Sequence, residues 1–444
     1  MSAPLHKRGR LRRAVEVFQS RRVAMMLALG FSSGLPLMLT VKVLSARLAE
    51  AGVDRTSIGL FTLVTAIYGL KFLWAPAIDR LRLPWLTHRF GRRRAWMLAT
   101  HGACMAAILG LGFSDPAGDL AAVVLFACLV AFSSASQDIV LDAYRIEILD
   151  EGQYGPGAAV FVKGFRIGMF ASGAGGLFLA DALGWAGAHA IMAALLLIGI
   201  AVTLLAPEPA RACDPEAEAQ QRRIGARAEA WGGAAAARFA GATVAPLAEF
   251  FTRPGWGAVL AFILFYKLGD AALAAMAIPF YIELGFSKSE IAAAVETGGF
   301  IASLAGIFVG GLVVHAMGLL PCLLVAGLLQ ALSNLAFIPL NQAGHDIIWL
   351  AGVAALEGFT AGLGTTALLA YLMSLCNMTY SMMQFALLSS LMASARIALS
   401  APSGWVVDRL NGDWSMFFAL TTLACLPGLL LLRVLHNQQK GGAP

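Results

Sequence analysis

The chain has 444 residues, 59% of them hydrophobic and only 13% charged, with a mean hydropathy of +0.75. A water-soluble fold of that composition lacks the polar side chains to cover its surface, so the bilayer has to act as solvent for much of it. The net charge of +6 does not point to nucleic acid, because the basic residues fall in short runs between apolar segments rather than along one polar face.

In chain order, apolar runs occupy roughly 23–49, 56–78, 95–113, 119–147, 156–181, 187–206, 255–284, 288–316, 318–338, 346–374, 381–407 and 415–435. Each is close to the ~20 residues that a spanning helix needs. The pattern predicts an all-α membrane protein of about twelve transmembrane helices in two six-helix bundles, 23–206 and 254–435. A basic N-terminus (1–22), a polar linker (207–253) and a short tail (436–444) complete the chain. The first run follows basic residues and shows no small-residue cleavage site, so it is expected to persist as a span. The linker carries Glu208, Arg211, Asp214, Glu216, Glu218, Arg222, Arg223 and Arg227 among alanines and prolines, which suits a partly helical connection.

Lysine and arginine mark the cytoplasmic side. Lys7, Arg8, Arg10, Arg12, Arg13, Arg21 and Arg22 precede the first run, and Arg80, Arg82, Arg89, Arg92, Arg93 and Arg94 lie between the second and third. The linker, Arg433 and Lys440 fall on the same side. Opposite loops hold Arg55, Lys288 and Arg409, diluted by Glu50, Asp54, Asp115, Asp181, Glu290 and Asp413. Both termini are therefore expected in the cytoplasm. A faint echo supports duplicated halves: Gly176 to Trp185, with Asp181 and Gly184 between them, leaves the fifth run as Gly404 to Trp414, with Asp408 and Gly412, leaves the eleventh.

Six cysteines (Cys104, Cys128, Cys213, Cys322, Cys376 and Cys425) are scattered without a C-x-x-C pair or a histidine cluster, which suits packing and predicts no metal and no cofactor. No nucleophile elbow, H-E-x-x-H or P-loop is present, so neither an enzyme nor an ATP-driven pump is indicated. An ion gradient would then supply the energy.

Ionisable residues inside apolar runs each cost several kcal/mol unless they face water or a partner. In the fourth run Asp138, Asp142 and Arg145 share a helical face after Gln137, and the fifth run adds Lys163 and Arg166, implying a cluster of opposite charges between the two. In the seventh, Tyr266, Lys267 and Asp270 flank Gly269 near the depth where secondary transporters bind cargo. Lys42, Tyr68 and Lys71 lie in the first two runs, Glu296 and Glu357 in the eighth and tenth, and Gln384 and Arg396 in the eleventh. Cations recur in both halves, so an anionic small molecule is the expected cargo. Asp138, Asp142 and Asp270 are the candidate proton carriers. Glycine-rich stretches at 173–176 and 358–364 suit close helix approach.

The segment 74–94 carries Asp79-Arg80 and then Gly91-Arg92-Arg93-Arg94, and resembles a stretched form of the gating loop of the major facilitator superfamily. Plain retention of basic residues on the cytoplasmic side would explain the same run. Beyond that loop, the chain resembles the AmpG muropeptide permease family. The matching stretches are Gly30 to Pro36, Lys71 to Arg80, Gly91 to Arg94, Ser134 to Ala143, Tyr266 to Asp270, Leu375 to Asn377 and Gln384 to Leu388. They run in order over about 25–435.

The resemblance implies a major facilitator fold and a proton symporter of the bacterial inner membrane. Its cargo would be GlcNAc-1,6-anhydro-MurNAc peptides, brought from periplasm to cytoplasm for cell-wall recycling and, indirectly, for β-lactamase induction and β-lactam resistance. Carboxylates of such a cargo would meet Lys42, Lys71, Lys163, Arg166, Lys267 or Arg396, and the sugars Tyr68, Tyr266, Gln137 or Gln384. Protons and membrane lipid are the other expected partners, nucleic acid is not, and a monomer is expected. Better-known members carry further hydrophobic sequence after twelve helices, so a role tied to that extension does not transfer. Distantly related acetyl-CoA transporters keep an acyl-CoA in play as cargo, and a non-transporting membrane receptor on the same fold is the alternative from another class.

Overall fold

The structure, a computed structural model, describes residues 17–18, 20–53, 61–210, 215–400 and 402–441. Lys7, Arg8, Arg10, Arg12, Arg13, Asp54, Arg55, Arg211, Cys213 and Asp214 lie outside them. Among the described residues every regular element is helical, and nine helices are long and apolar enough to cross a membrane.

The first half consists of α1 (Arg21–Glu50), a broken segment α2 (61–80), α3 (Arg92–Phe113), α4 (Leu120–Ile148), α5 (154–183) and α6 (185–205). The second consists of α7 (Trp256–Glu283), α8 (Ala292–Met317), α9 (Leu319–Ala343), α10 (Ile347–Ser374), a broken segment α11 (381–400 and 403–409) and α12 (Trp414–Leu435). α5 and α6 belong to one apolar stretch, Glu151–Leu205, which turns at Gly184. The φ of 73° and ψ of 167° there suit glycine alone.

These segments follow the apolar runs closely, because apolar length is a local property of the chain. The interruptions are what hydropathy misses. α2 alternates 3-10 turns (Thr62–Thr65, Lys71–Leu73) with short α-helical pieces, and α7 breaks at Tyr266 and Lys267. π-helical turns widen α1 at Leu39–Val43, α5 at Ala171–Gly175 and the start of α8 at Ala292–Gly299. The linker is more regular than its composition suggests. It is helical over Pro215–Thr252, broken once at Gly233.

Helix pairs inside each half close on glycine. A Cβ at Gly30 or Gly34 of α1 would overlap the carbonyl oxygens of Phe161 and Phe165 in α5, and one at Gly164 or Gly168 would overlap those of Leu27 and Phe31. In the second half Gly306 of α8 meets the Phe359 carbonyl of α10, while Gly358 and Gly362 meet the carbonyls of Gly299 and Ser303. With lipid outside, such contact replaces the hydrophobic drive that packs soluble helices.

The two halves touch mainly at the end that carries the basic loops. There Gly311 of α8 packs on Ala159 of α5, the His315 ring approaches the Gly152 carbonyl at 2.9 Å, and Phe385 of α11 lies beside Arg145 of α4. Toward the opposite end the cross-half ion pair is Lys42 to Glu296 at 3.9 Å, with side chains 57% and 63% exposed.

Candidate functional site

At the basic end, α2 closes on Ala75–Arg80 with Pro76 in its first turn, and α3 opens after Gly91 at φ 90°. A side chain at Gly91 would be strained by that φ and would run into Glu208, whose carboxylate accepts the backbone N–H groups of Arg93 (2.8 Å) and Arg94 (3.1 Å). An anion on the first turn of a helix is favoured by the free N–H groups and the dipole together. Arg93, 3% exposed, donates to Asp79 at 2.9 Å and holds Glu147 of α4 through two nitrogens. Arg92 donates to the carbonyl and carboxylate of Asp79 at 3.2 and 3.4 Å. Ser381, the first residue of α11, donates to Glu147 at 2.7 Å, so the network crosses from one half to the other. Arg80 lies against the linker near Gly241. All five gating-loop residues thus gather in one place, with Glu147, Glu208 and Ser381 as members that the sequence reading did not single out.

Deeper in the first half, Asp142 lies between Lys71 of α2 (3.5 Å) and Arg145 one turn on (2.9 Å). Arg145 is fully buried, its guanidinium over the rings of Phe161 (4.3 Å) and Phe385 (5.3 Å), where face-on aromatics supply part of the lost hydration. Asp138 accepts from Ser33 of α1 at 2.5 Å and has Lys71, Asp142 and Arg145 as charged neighbours. Tyr68 is half-buried in the packing beside α4. Gln137 does not face the charges: its amide nitrogen meets His101 of α3 at 3.1 Å, inside the helix packing.

The expected cluster between α4 and α5 forms differently from the sequence expectation. Gly164 and Gly168 press α5 onto α1, which turns Lys163 and Arg166 away from Asp142. Arg166 instead donates to Ser303 of α8 at 2.8 Å, across the two halves, and Lys163 is half-buried with no ion pair among the described residues.

In the second half the break in α7 frees Lys267 to reach Asp270 at 2.7 Å and Gln330 of α9 at 3.4 Å. Glu357 of α10 has Asp270, Lys267, Arg166 and Arg396 as charged neighbours, so mid-depth charges from both halves converge on it. Arg396 itself is exposed. The Tyr266 hydroxyl donates to the Leu323 carbonyl at 2.8 Å and belongs to the packing. A void of about 10 Å³ beside Lys267, lined by Tyr266, Gly327, Gln330 and Cys425 among others, is the size of one water and cannot hold a glycopeptide. Gln384 is also committed: its amide binds the Asn377 N–H (2.8 Å), the Pro246 carbonyl (3.1 Å) and Glu249 (2.5 Å), fastening the α10–α11 turn to the linker. Lys42 stands apart at the far end.

The site residues therefore form three groups: the interlock at Asp79, the Asp138–Asp142 cluster, and the Lys267–Asp270 pair facing Arg166 and Glu357. Gln137, Tyr266 and Gln384 lie in packing contacts outside them. No group of histidines, cysteines or carboxylates that could hold a metal occurs among the described residues.

Comparison with known proteins gives a consistent picture. The sequence pattern described as Major Facilitator Superfamily matches residues 23–383. The anhydromuropeptide permease of Escherichia coli K12 is 39% identical over 422 residues, covering 95% of this chain and 81% of that one. A transporter of Rickettsia conorii named AmpG 4 is 32% identical over 96% of this chain and 99% of its own. Among solved structures, the human organic anion transporter MFSD10 superimposes with a TM-score of 0.65 at 17% identity, covering 93% of this chain and 99% of that one. The E. coli fucose:proton symporter FucP superimposes with a TM-score of 0.69 at 12% identity, covering 93% and 98%.

Proposed function

We propose, starting from the fact that the chain belongs to the major facilitator superfamily and, within it, to the AmpG muropeptide permease family, that it imports anhydro-muropeptides by proton symport. It is a multi-pass membrane transporter and not an enzyme. The observation that carries the cargo assignment is the similarity to the E. coli anhydromuropeptide permease over 95% of this chain.

Twelve crossings follow when the Glu151–Leu205 stretch is taken as two spans and α2 and α11 are added to the long apolar helices. With the basic loops inside, both termini are cytoplasmic, the halves are 23–206 and 254–435 with 207–253 between them, and the membrane is the bacterial inner one. The concentration of cross-half contacts at the basic end supports an outward-facing arrangement, with Lys42 and Glu296 at the open mouth. The protein acts as a monomer, its pathway lying between its own two halves.

In this reading cargo carboxylates bind Arg166, Lys163, Lys267 and Arg396, with Lys71 joining when Asp142 releases it and Lys42 guiding entry. Tyr68 faces the sugars. Gln137, Tyr266 and Gln384 brace the helices that carry these groups. Asp138, Asp142 and Asp270 exchange protons, each being a carboxylate whose cationic or hydroxyl partner can leave it. The Asp79–Arg93–Glu147–Ser381 network, with Arg80, Gly91 and Arg92, opens as the halves rock. The delivered cargo then enters wall recycling and, where that circuit exists, β-lactamase induction.

Proteoliposomes test the reading directly. Uptake of labelled anhydro-muropeptide rises with an inward proton gradient, and Asp138→Asn or Asp270→Asn abolishes it while the protein still inserts. Uptake that ignores the gradient would remove the coupling assignment, and normal transport by both variants would remove the site assignment.

A further inference from the structure

The stretch that separates Asp79-Arg80 from Gly91-Arg92-Arg93 is not used by the interlock it interrupts. Residues Leu81–Phe90 lie at the basic end between α2 and α3, and include a helical turn at Leu86–Phe90. Besides the backbone bonds of that turn, two side-chain hydrogen bonds help fix their course: Trp96 donates to the Leu81 carbonyl at 2.8 Å, and the Leu83 N–H donates to the Thr87 hydroxyl at 2.9 Å. This is a shaped loop whose outer face is left bare.

Trp85 stands at its tip. Its φ of 65° lies in the left-handed region, where a bulky side chain is an outlier, and the residue is 67% exposed. A backbone held against its preference to present an indole outward points to something that the indole meets. Leu81 beside it is 57% exposed. Around them Arg82, His88 and Arg89 are exposed, and none forms an ion pair among the described residues. The Arg89 guanidinium lies 5.7 Å from the Trp85 ring and 5.8 Å from that of Phe90, which holds charge and indole on the same side of the loop.

We infer that Leu81–Phe90 is a binding site for anionic phospholipid, with the Trp85 indole and Leu81 seated among the headgroups and Arg82 and Arg89 on the phosphates. An indole prefers the level of the headgroups, where its apolar body and its N–H are both satisfied. Charge complementarity selects the acidic lipids: each arginine near an anionic surface adds about fivefold to binding. The occupant is the leaflet itself, since the loop hangs from the ends of two apolar segments. Bound lipid tethers the connection between Asp79 and Arg92 to the membrane surface. The inference rests on the membrane reading of the fold and not on the cargo.

Hydrogen–deuterium exchange on the full chain in nanodiscs tests it, because the readout is local and independent of uptake. On passing from phosphatidylcholine alone to roughly one-third phosphatidylglycerol, protection of 81–90 rises about tenfold, and the R82Q/R89Q double variant loses that rise. Trp85→Gly separates binding from folding. It removes the ring and relieves the backbone, so its melting temperature in detergent stays level or rises while the lipid-dependent protection falls away. Equal protection of the wild-type loop in both lipids overturns the site. Retention of the whole effect by Trp85→Gly or by the double arginine variant overturns the residues assigned to it.

Discussion

Asp142, in the first half, lies between two cations, Lys71 at 3.5 Å and Arg145 at 2.9 Å, and Arg145 is buried among aromatic rings from two other helices. Asp270, in the second, has a single cation at 2.7 Å on its own helix, and its other carboxylate oxygen has no hydrogen-bond partner among the described residues. A carboxylate with two cations loses one less readily, because removal leaves a buried charge uncompensated unless a proton replaces it. One with a single flexible lysine can exchange it for a proton or a ligand. The first half thus holds its buried carboxylate more tightly than the second, so that Asp142 gives up Lys71 only as a proton takes its place, while the pair at Asp270 parts more readily.

That contrast can be broken, and the largest effect belongs to Arg145. Arg145→Ala strands Asp142 and empties the space between Phe161 and Phe385, and should cost about 3–5 kcal/mol, read as a fall in thermal or denaturant stability in detergent. Next come the matched carboxylates. Asp142→Asn should cost about 2 kcal/mol and Asp270→Asn less than about 1, so equal losses would erase the distinction. Gln330→Leu sharpens it further. It deletes a 3.4 Å contact to Lys267 and should shift stability by about 0.5–1.5 kcal/mol while altering transport, if Lys267 is the mobile partner.

The smallest effect is that of an exposed control outside the membrane. Glu290 accepts from the hydroxyl and backbone N–H of Ser287 and from His345, and these bonds bring its pKa from 4.5 down to about 2. A depressed carboxylate adds its stability above the unfolded value, so the contact is complete above pH 4.5 and is lost as pH falls through about 2. A carboxyl NMR titration of Glu290 reads this directly, and an ordinary midpoint would remove the contact.

The halves also differ in which helices close on glycine. In the first half α1 closes on α5, whereas in the second both α8 with α10 and α7 with α12 close on glycine, the last through Gly269 and Gly428.

What the sequence revealed follows from how far apart the cooperating residues are. Apolar length places the helices because it needs no partner, and Asp142 with Arg145 is readable because one turn joins them. Lys71 reaches Asp142 from 71 positions away, and Ser381 reaches Glu147 from 234. No periodicity connects such residues. α4 is apolar on most of its faces, so no polar stripe told which way Gln137 points, and the structure turns it to His101. Gly164 and Gly168 press α5 onto α1, and Arg166, on another face, reaches Ser303 of the second half rather than Asp142. The cap that Glu208 forms on α3 depends on a chain reversal that composition does not encode.

The π-helical turns at Leu39–Val43, Ala171–Gly175 and Ala292–Gly299 carry a consequence for descent. A π turn houses one residue more than the α-helix on either side needs, and leaves both flanks in register. At these places the chain can gain or lose a residue without rotating one flank of the helix against the other. Related sequences are therefore expected to differ in length by single residues there, and to keep Arg166 and Ser303 facing each other when they do.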